Sequence, residues 1–259
     1  MKVTLISHTP EPEKTVAAAA KLCYSKTGIT GLMDGLTDEK ASQFLQMLES
    51  MGHASPIEHA SFTFGIEGAS RSFLAQITRH RIGSYSVQSQ RYVVKSGFET
   101  IVPPAIEAIP EAKAEFEAAM ASCGEYYDRL TEILTRHHAK ELEEEGKSPE
   151  EAARLAVKMA IEDARYVLPN ACDTKMVVTM NARSLHNFFE KRCCNRAQWE
   201  IHQVADEMLA LVYAVAPSLF AHAGPPCLNG PCPEGKMSCG KAAQVRERYQ
   251  QLKERTSNG

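Results

Sequence analysis

Arg79-His80-Arg81-Ile82-Gly83-Ser84-Tyr85-Ser86-Val87-Gln88-Ser89-Gln90-Arg91 is a basic, hydroxyl-rich run in a chain whose formal net charge is -3. Between Glu67 and Glu99 there is no carboxylate, while Arg71, Arg79, Arg81, Arg91 and Lys95 all fall inside that window. With 32 acids in 259 residues, about four would be expected over that length. The basic side chains therefore have no partners nearby in sequence. A guanidinium keeps its charge and offers a planar fork to two oxygens at once, so unneutralised arginines beside hydroxyls and carboxamides suit phosphate or another anion. A bare Arg-His-Arg triplet would be a solvated basic loop. The spacing onward to Ser84, Ser89 and Arg91, with Gln76 and Tyr92 flanking, is more particular than that.

The run leaves the end of a helix expected from Arg71 to about Arg81, with Phe73, Leu74 and Ile77 at core spacing and Gln76 and Arg79 sharing a face. Ser61 to Glu67 reads as the strand before it, and Tyr92-Val93-Val94 and Phe98 to Val102 as strands after it, closed by Pro103-Pro104. Towards the N-terminus, Met1 to Ser7 reads as a strand, Glu13 to Cys23 as a helix, the Gly28/Gly31/Gly35 stretch as a loop, and the segment capped by Thr37 as a helix that Gly52 stops. On the other side, Pro110 to Glu145 reads as a long, partly exposed helix. Ser148-Pro149-Glu150-Glu151 opens another that runs to Tyr166, with Arg165 in its last turn. Asp173 to Met180 is strand-like, Asn181 turns into a helix reaching Arg192 that carries Arg183 and Asn187 on one face, and Arg196 to Ala216 forms a further helix. A charged helix from about Lys241 to Arg255 ends the pattern.

Length and 44% hydrophobic content allow a sizeable core. The expected organisation is one catalytic domain over 1–220 and a Cys- and Pro-rich extension with a short helix over 221–259. A mildly negative chain is not a general nucleic-acid binder. No apolar run approaches the roughly 18 residues of a membrane span, and the polar start is too short for a secretory signal. Eight cysteines in such a chain are expected as reduced thiols, in a cytoplasmic protein. Neither a Gly-x-Gly-x-x-Gly fingerprint nor a Walker loop occurs, so a nucleotide site would be built without them. His53, Glu58 and His59 are conceivable metal ligands, but their Pro-containing turn lacks helical spacing and argues against a metal site there. Cys227, Cys232 and Cys239, separated by four and six residues, would need His222 or Cys193 as a fourth zinc ligand, and that is not a standard zinc spacing. No metal is expected.

The signature, Arg-His-Arg followed by Ser84, Ser89 and Arg91, resembles that of the flavin-dependent thymidylate synthases, the ThyX family. Three further segments resemble that family: His53-x-Ser55-Pro56-x-Glu58-His59, Ala164-Arg165-x-Val167-Leu168-Pro169, and Asn181-Ala182-Arg183-Ser184-Leu185-x-Asn187-Phe188 with Arg192 and Ala197-Gln198-Trp199-Glu200-Ile201. The resemblance implies an α+β fold of the thymidylate synthase-complementing type, with a mixed or antiparallel sheet flanked by long helices, and a homotetramer with active sites formed between subunits. It implies conversion of dUMP to dTMP with methylenetetrahydrofolate as carbon donor, FAD as redox carrier and NADPH as reductant. By position, Ser55, Arg79, His80, Arg81, Asn181, Arg183 and Asn187 would hold FAD. Gln76, Arg79, Val87, Gln88, Ser89, Gln90, Arg91, Arg165 and Arg192 would line dUMP, with Arg192 as the residue that favours the ionised pyrimidine. Ser89 has no base near it in sequence and reads as an orienting hydroxyl. Two positions depart from the family pattern. Val87 stands where a Glu is common, leaving Gln88 or Gln90 as substitutes, and Arg196 replaces a histidine of the family to which a folate contact would fall.

Two other classes compete. An NADPH-dependent flavin reductase or oxidase would use the FAD residues but gives Arg91, Arg165 and Arg192 no purpose. An RNA- or phosphate-binding module predicts steep salt dependence and no yellow cofactor.

Overall fold

The computed structural model describes residues 1–91 and 97–257. The expected strand Tyr92-Val93-Val94 lies outside them. In chain order the elements are β1 (Lys2–His8), α1 (Pro12–Leu22), α2 (Ile29–Asp34), α3 (Asp38–Ser50), β2 (Ser61–Ser70), α4 (Arg71–Ile77), β3 (Ser84–Val87), α5 (Pro104–Glu107), α6 (Pro110–Glu144), α7 (Pro149–Ala164), β4 (Asp173–Asn181), α8 (Ala182–Arg192), α9 (Trp199–Val215) and α10 (Ala242–Ser257). They form two compact units: Met1–Glu67, Gln76–Ser86 and Met176–Gly259 make the first, Gly68–Ala75 and Val87–Lys175 the second.

In the first unit the strands follow the order β1-β2-β4-β3, with β1 antiparallel to β2. Phe62, Phe64 and Ile66 alternate into the core along β2, as do Met176, Val178 and Met180 along β4, which is the period a half-covered sheet requires. Thr63 and Thr179 join hydroxyls at 2.9 Å across the β2–β4 pair. Register slips once, between Leu5 and Ser7, where Gly65 lets Ile6 approach: a Cβ there would sit 3.3 Å from the Ile6 Cδ1. Phe188 and Phe189 of α8 stack edge-on with each other, and Phe189 and Phe62 both meet the edge of Phe220. The charged C-terminal helix is docked on α9. Arg248 pairs with the buried Asp206, and the Tyr249 hydroxyl, itself buried, donates to Asp206 and lies 2.9 Å from the Cys193 carbonyl oxygen.

The second unit is built on the α6–α7 hairpin. Gly146, at φ 91, supplies the left-handed residue the turn needs, and the Ser148 hydroxyl then caps α7 by accepting from the Glu151 N–H at 3.2 Å. Tyr127, Ile161 and Ala164 form its core with Leu130, Val167 and Leu168 packed around them.

Several expected boundaries shift, each for a local reason. The Gly28–Gly35 stretch is not a loop throughout: its glycines bracket the short α2, with Gly28 and Gly35 as caps. The helix from Arg71 stops at Ile77, so Arg79 lies beyond it and does not share a helical face with Gln76; the bonds Arg79 N to Gln76 O and His80 N to Ile77 O are those of a tight turn. Among the described residues, 98–102 pair around the Thr100–Cys172 bridge, flanked by Ile101 N to Ala171 O at 2.8 Å and Asp173 N to Glu99 O at 2.9 Å, too little for a strand. Arg165 belongs to a 3-10 turn, Arg165–Val167, that follows α7. The helix expected from Arg196 starts at Trp199, because the Gln198 side-chain oxygen accepts from the N–H groups of Glu200 and Ile201.

Candidate active site

In the first unit, the loop after α4 and the N-terminal two turns and end of α8 face a common cavity of about 850 Å³. Arg79, His80, Arg81, Asn181, Arg183, Asn187 and Arg192 line it, together with Glu58, Ile82, Ser184 and Lys191. Seven of the expected site residues are thus brought together from segments about a hundred positions apart in sequence, which long-range β pairing makes possible. Four arginines and Lys191 meet one carboxylate in its lining, Glu58, and that carboxylate is engaged by Arg183.

Local structure positions each group. Asn181 caps α8, its side-chain oxygen accepting from Ser184 N–H at 2.8 Å, so Arg183 and Asn187 leave the first two turns of that helix and Arg192 its last. The Tyr85 hydroxyl lies 2.6 Å from the His80 carbonyl oxygen and 3.1 Å from that of Ile77, bracing the backbone of the Arg-His-Arg turn. Burial pushes this phenol up to about 12, so it remains a donor. Gly83 allows the turn to lie against β4: a Cβ would stand 3.2 Å from the Met180 side chain and 3.3 Å from the Thr179 carbonyl oxygen.

At the centre, Arg192 Nε donates to His80 Nε2 at 3.0 Å. A guanidinium nitrogen can only donate, so Nε2 is the accepting nitrogen and the ring proton resides on Nδ1. Burial first, then the charges of Arg192 and Arg79, hold the imidazole down to about 4, against a hydrogen bond with Asn187 that raises it. The ring also meets Phe188 edge-on at 5.0 Å. Burial and Arg79 likewise lower the Arg192 guanidinium from its ordinary value. Crowded cations that depress one another, with the nearby carboxylate already engaged, form a site that an anion would complete.

Two expected residues of this unit stand elsewhere. Ser55 precedes the 3-10 turn Pro56–His59, whose Glu58 N–H bonds the Ser55 carbonyl oxygen. Its neighbour Ala54 lines a smaller, more apolar cavity of about 220 Å³ that shares Arg183 with the first. Gln76 donates to the Gln198 side chain at 3.3 Å.

The second unit gathers the rest of the expected nucleotide residues. Arg91 grips Glu162 with two nitrogens, at 2.7 and 3.1 Å, and the Arg165 Nε donates to the backbone carbonyl of the same Glu162 at 2.9 Å. The basic run therefore has no carboxylate partner nearby in sequence, as expected, but takes one from a distant segment. That pair is nearly half exposed on both sides, so it is worth at most about 1 kcal/mol and yields readily to a better anion. Ser89 Oγ accepts from Arg91 N–H at 3.1 Å, Gln90 reaches the Cys172 sulfur at 3.7 Å, and the Gln88 N–H bonds Lys175 O at 3.0 Å, continuing from Val87 at the end of β3. Burial above all, with Arg165 adding to it, lowers the Arg71 guanidinium.

Sequence reasoning did not single out Lys191 or Tyr85. Tyr85 sat inside the quoted run and its spacing from His80 was the available signal; Lys191 had none. Arg196, one of the departing positions, pairs with Glu234 of the C-terminal segment. Among the described residues, no three His, Cys, Asp or Glu side chains are placed to hold a metal ion, and no helix is long and apolar enough to cross a membrane.

The family model described as thymidylate synthase complementing protein matches residues 4–218. A flavin-dependent thymidylate synthase of Clostridium tetani is 53% identical over 249 residues, 96% of this chain and 97% of the relative, and one of Geobacter sulfurreducens is 48% identical over 254 residues, 97% and 99%. The crystal structure of flavin dependent thymidylate synthase ThyX from Helicobacter pylori, complexed with FAD and dUMP, shares the fold at TM-score 0.60 and 23% identity, covering 86% of this chain and 100% of that one. A family match over most of the chain, close relatives along its whole length and a common α+β architecture agree: the chain belongs to the flavin-dependent thymidylate synthases.

Proposed function

We propose that the protein carries out the reductive methylation of dUMP to dTMP, with methylenetetrahydrofolate as carbon donor and NADPH as reductant through bound FAD. The observation that carries this reading is the cationic cavity around Arg79, Arg81, Arg183 and Arg192, which fits a pyrophosphate-bearing cofactor where no glycine-rich loop is present. In this reading Arg79, His80, Arg81, Asn181, Arg183 and Asn187 hold FAD, with Ser55 nearby in the chain. The flavin, when bound, supplies the two-electron chemistry, and the protein contributes placement and electrostatics.

For dUMP, the first unit offers Gln76, Arg79 and Arg192, and the second offers Val87, Gln88, Ser89, Gln90, Arg91 and Arg165. Assembly as a homotetramer with active sites formed between subunits means that the two sets need not serve the same copy. Arg192 spends its Nε on His80, and its remaining N–H donors are available to the pyrimidine carbonyl, where they stabilise the negative charge that makes the ring carbon nucleophilic. Arg91, released from Glu162, meets the phosphate. A cytoplasmic location accords with these small-molecule substrates.

The test is anaerobic turnover of dUMP with methylenetetrahydrofolate and NADPH, with and without added FAD. FAD-dependent dTMP formation is expected. Flavin whose visible spectrum ignores dUMP, with no dTMP formed, would leave only a flavin reductase. Ser89→Ala is expected to keep measurable activity, reduced about tenfold or less, the worth of one neutral hydrogen bond. Complete inactivity at normal dUMP affinity would make Ser89 a nucleophile instead.

His80 gives a pH prediction. With the folded ring at about 4 against an ordinary 6.5, the unfolded chain takes up a proton that the folded ring refuses, so this residue's contribution to stability is intact above pH 6.5 and is lost as pH falls towards 4. NMR titration of the imidazole should place its midpoint near the lower value; a midpoint at 6.5 would contradict the neutral, Arg192-accepting ring.

A further inference from the structure

Four of the eight cysteines gather at the exit of α8. Cys194, two residues past Arg192, lines a cavity of about 370 Å³ with Cys227 and Cys232, and Arg192 and Arg196 line it too. The Cys239 sulfur lies 3.8 Å from the side-chain nitrogen of Asn195. All four are free thiols, and no three are placed to hold a metal. The segment bearing the last three is fastened on both sides of Cys232: Arg196 pairs with Glu234, and the Arg246 guanidinium donates to the carbonyls of Cys227 and Gly230, each at 2.8 Å. Thiols from two segments are therefore held around one space, and two of them, Cys194 and Cys232, are partly exposed while Cys227 is buried.

We propose that Cys194 and Cys232 form a disulfide-forming modification site that ties the C-terminal segment to the end of α8 beside Arg192. A small-molecule disulfide is the co-reactant. The Cys232 thiolate attacks one of its sulfurs, releasing a first small thiolate and leaving a mixed disulfide; the Cys194 thiolate then attacks the Cys232 sulfur and releases the second. The two protons given up by the protein thiols are taken by the two released thiolates, and two electrons pass from the protein to the small disulfide. Cys227 stays out of the exchange because burial, and after it the neighbouring thiols, push its pKa up and keep it protonated. Bridging the cavity constrains the backbone that carries Arg192, which links the site to the proposed reaction and in that respect rests on it.

The experiment treats purified FAD-loaded protein with oxidised glutathione, alkylates the remaining thiols and maps the peptides. Cys194 and Cys232 should lose alkylation together and appear as one linked peptide pair, while the exposed Cys23 remains alkylatable after mild reduction of mixed disulfides. The linkage should vanish in Cys194→Ser and, independently, in Cys232→Ser. Only mixed disulfides at exposed thiols, or stoichiometric zinc or iron protecting the cluster, would overturn the proposal. Turnover should fall by up to about a hundredfold on oxidation and return with dithiothreitol, the cost of a small misplacement of a positioned group. Unchanged turnover in the linked form would overturn the coupling to Arg192, whereas an absence of dTMP in the reduced protein would count against the functional reading alone, since the thiol map is independent of activity.

Discussion

Arg192→Ala is expected to abolish dTMP formation while FAD remains bound. The guanidinium stands at the last turn of α8, half-buried, with its Nε committed to the neutral ring of His80 at 3.0 Å. Removing it deletes a pre-aimed cation from a site where charge develops, an effect on the order of 10²–10³-fold or more in kcat. Flavin retention follows because Arg79, Arg81 and Arg183 still line the cavity. Arg192→Lys is expected to restore little, since an ammonium keeps the charge but loses both the fork and the Nε contact with His80. The visible spectrum of the purified variants and single-turnover dTMP formation separate the two losses. If flavin content drops in parallel with activity, Arg192 serves the cofactor and its assignment to the pyrimidine is wrong.

Phe220→Ala is expected to be the most destabilising single truncation in the first unit. The ring is fully buried. It meets Phe62 of β2 at 5.4 Å and Phe189 of α8 at 6.1 Å, and it stacks on His186 at 5.2 Å, so one side chain joins the sheet to the helix that carries the arginines. Truncation combines lost transfer energy with a cavity and costs about 3–5 kcal/mol. Phe220→Leu, which keeps most of the volume, should cost about 1.5 kcal/mol or less. Urea unfolding at fixed protein concentration measures both. A loss below about 1 kcal/mol for the alanine variant would show that the aromatic cluster does not hold α8 on the sheet.

The long-periodicity elements were legible because their signals are local. The Ser148 cap with Pro149, the Thr37 cap and the valine-threonine run of β4 each announce an element within a few residues. Errors arose where a distant group intervened. Nothing between Arg71 and Arg81 reveals that the helix ends at Ile77 and the chain turns under the Tyr85 hydroxyl, and nothing between 98 and 102 reveals that pairing is limited to a few residues around Cys172. The same holds for the site. Its residue types could be read from the quoted run and the segments resembling the family, but the meeting of Arg81 with Arg183 and Arg192 depends on sheet order, and the engagement of Arg91 by Glu162 on the α7 face. The neutrality of His80 is likewise a product of packing and of two neighbouring cations, neither of which its sequence context specifies.

The docking of Tyr249 on Asp206 and on the Cys193 carbonyl has a practical side for anyone handling this protein. Shortening the chain to before Tyr249 would leave Asp206 in the interior without that hydroxyl and loosen the backbone next to Arg192. Trimming the C-terminus to aid crystallisation would thus yield a poorer catalyst rather than a tidier one.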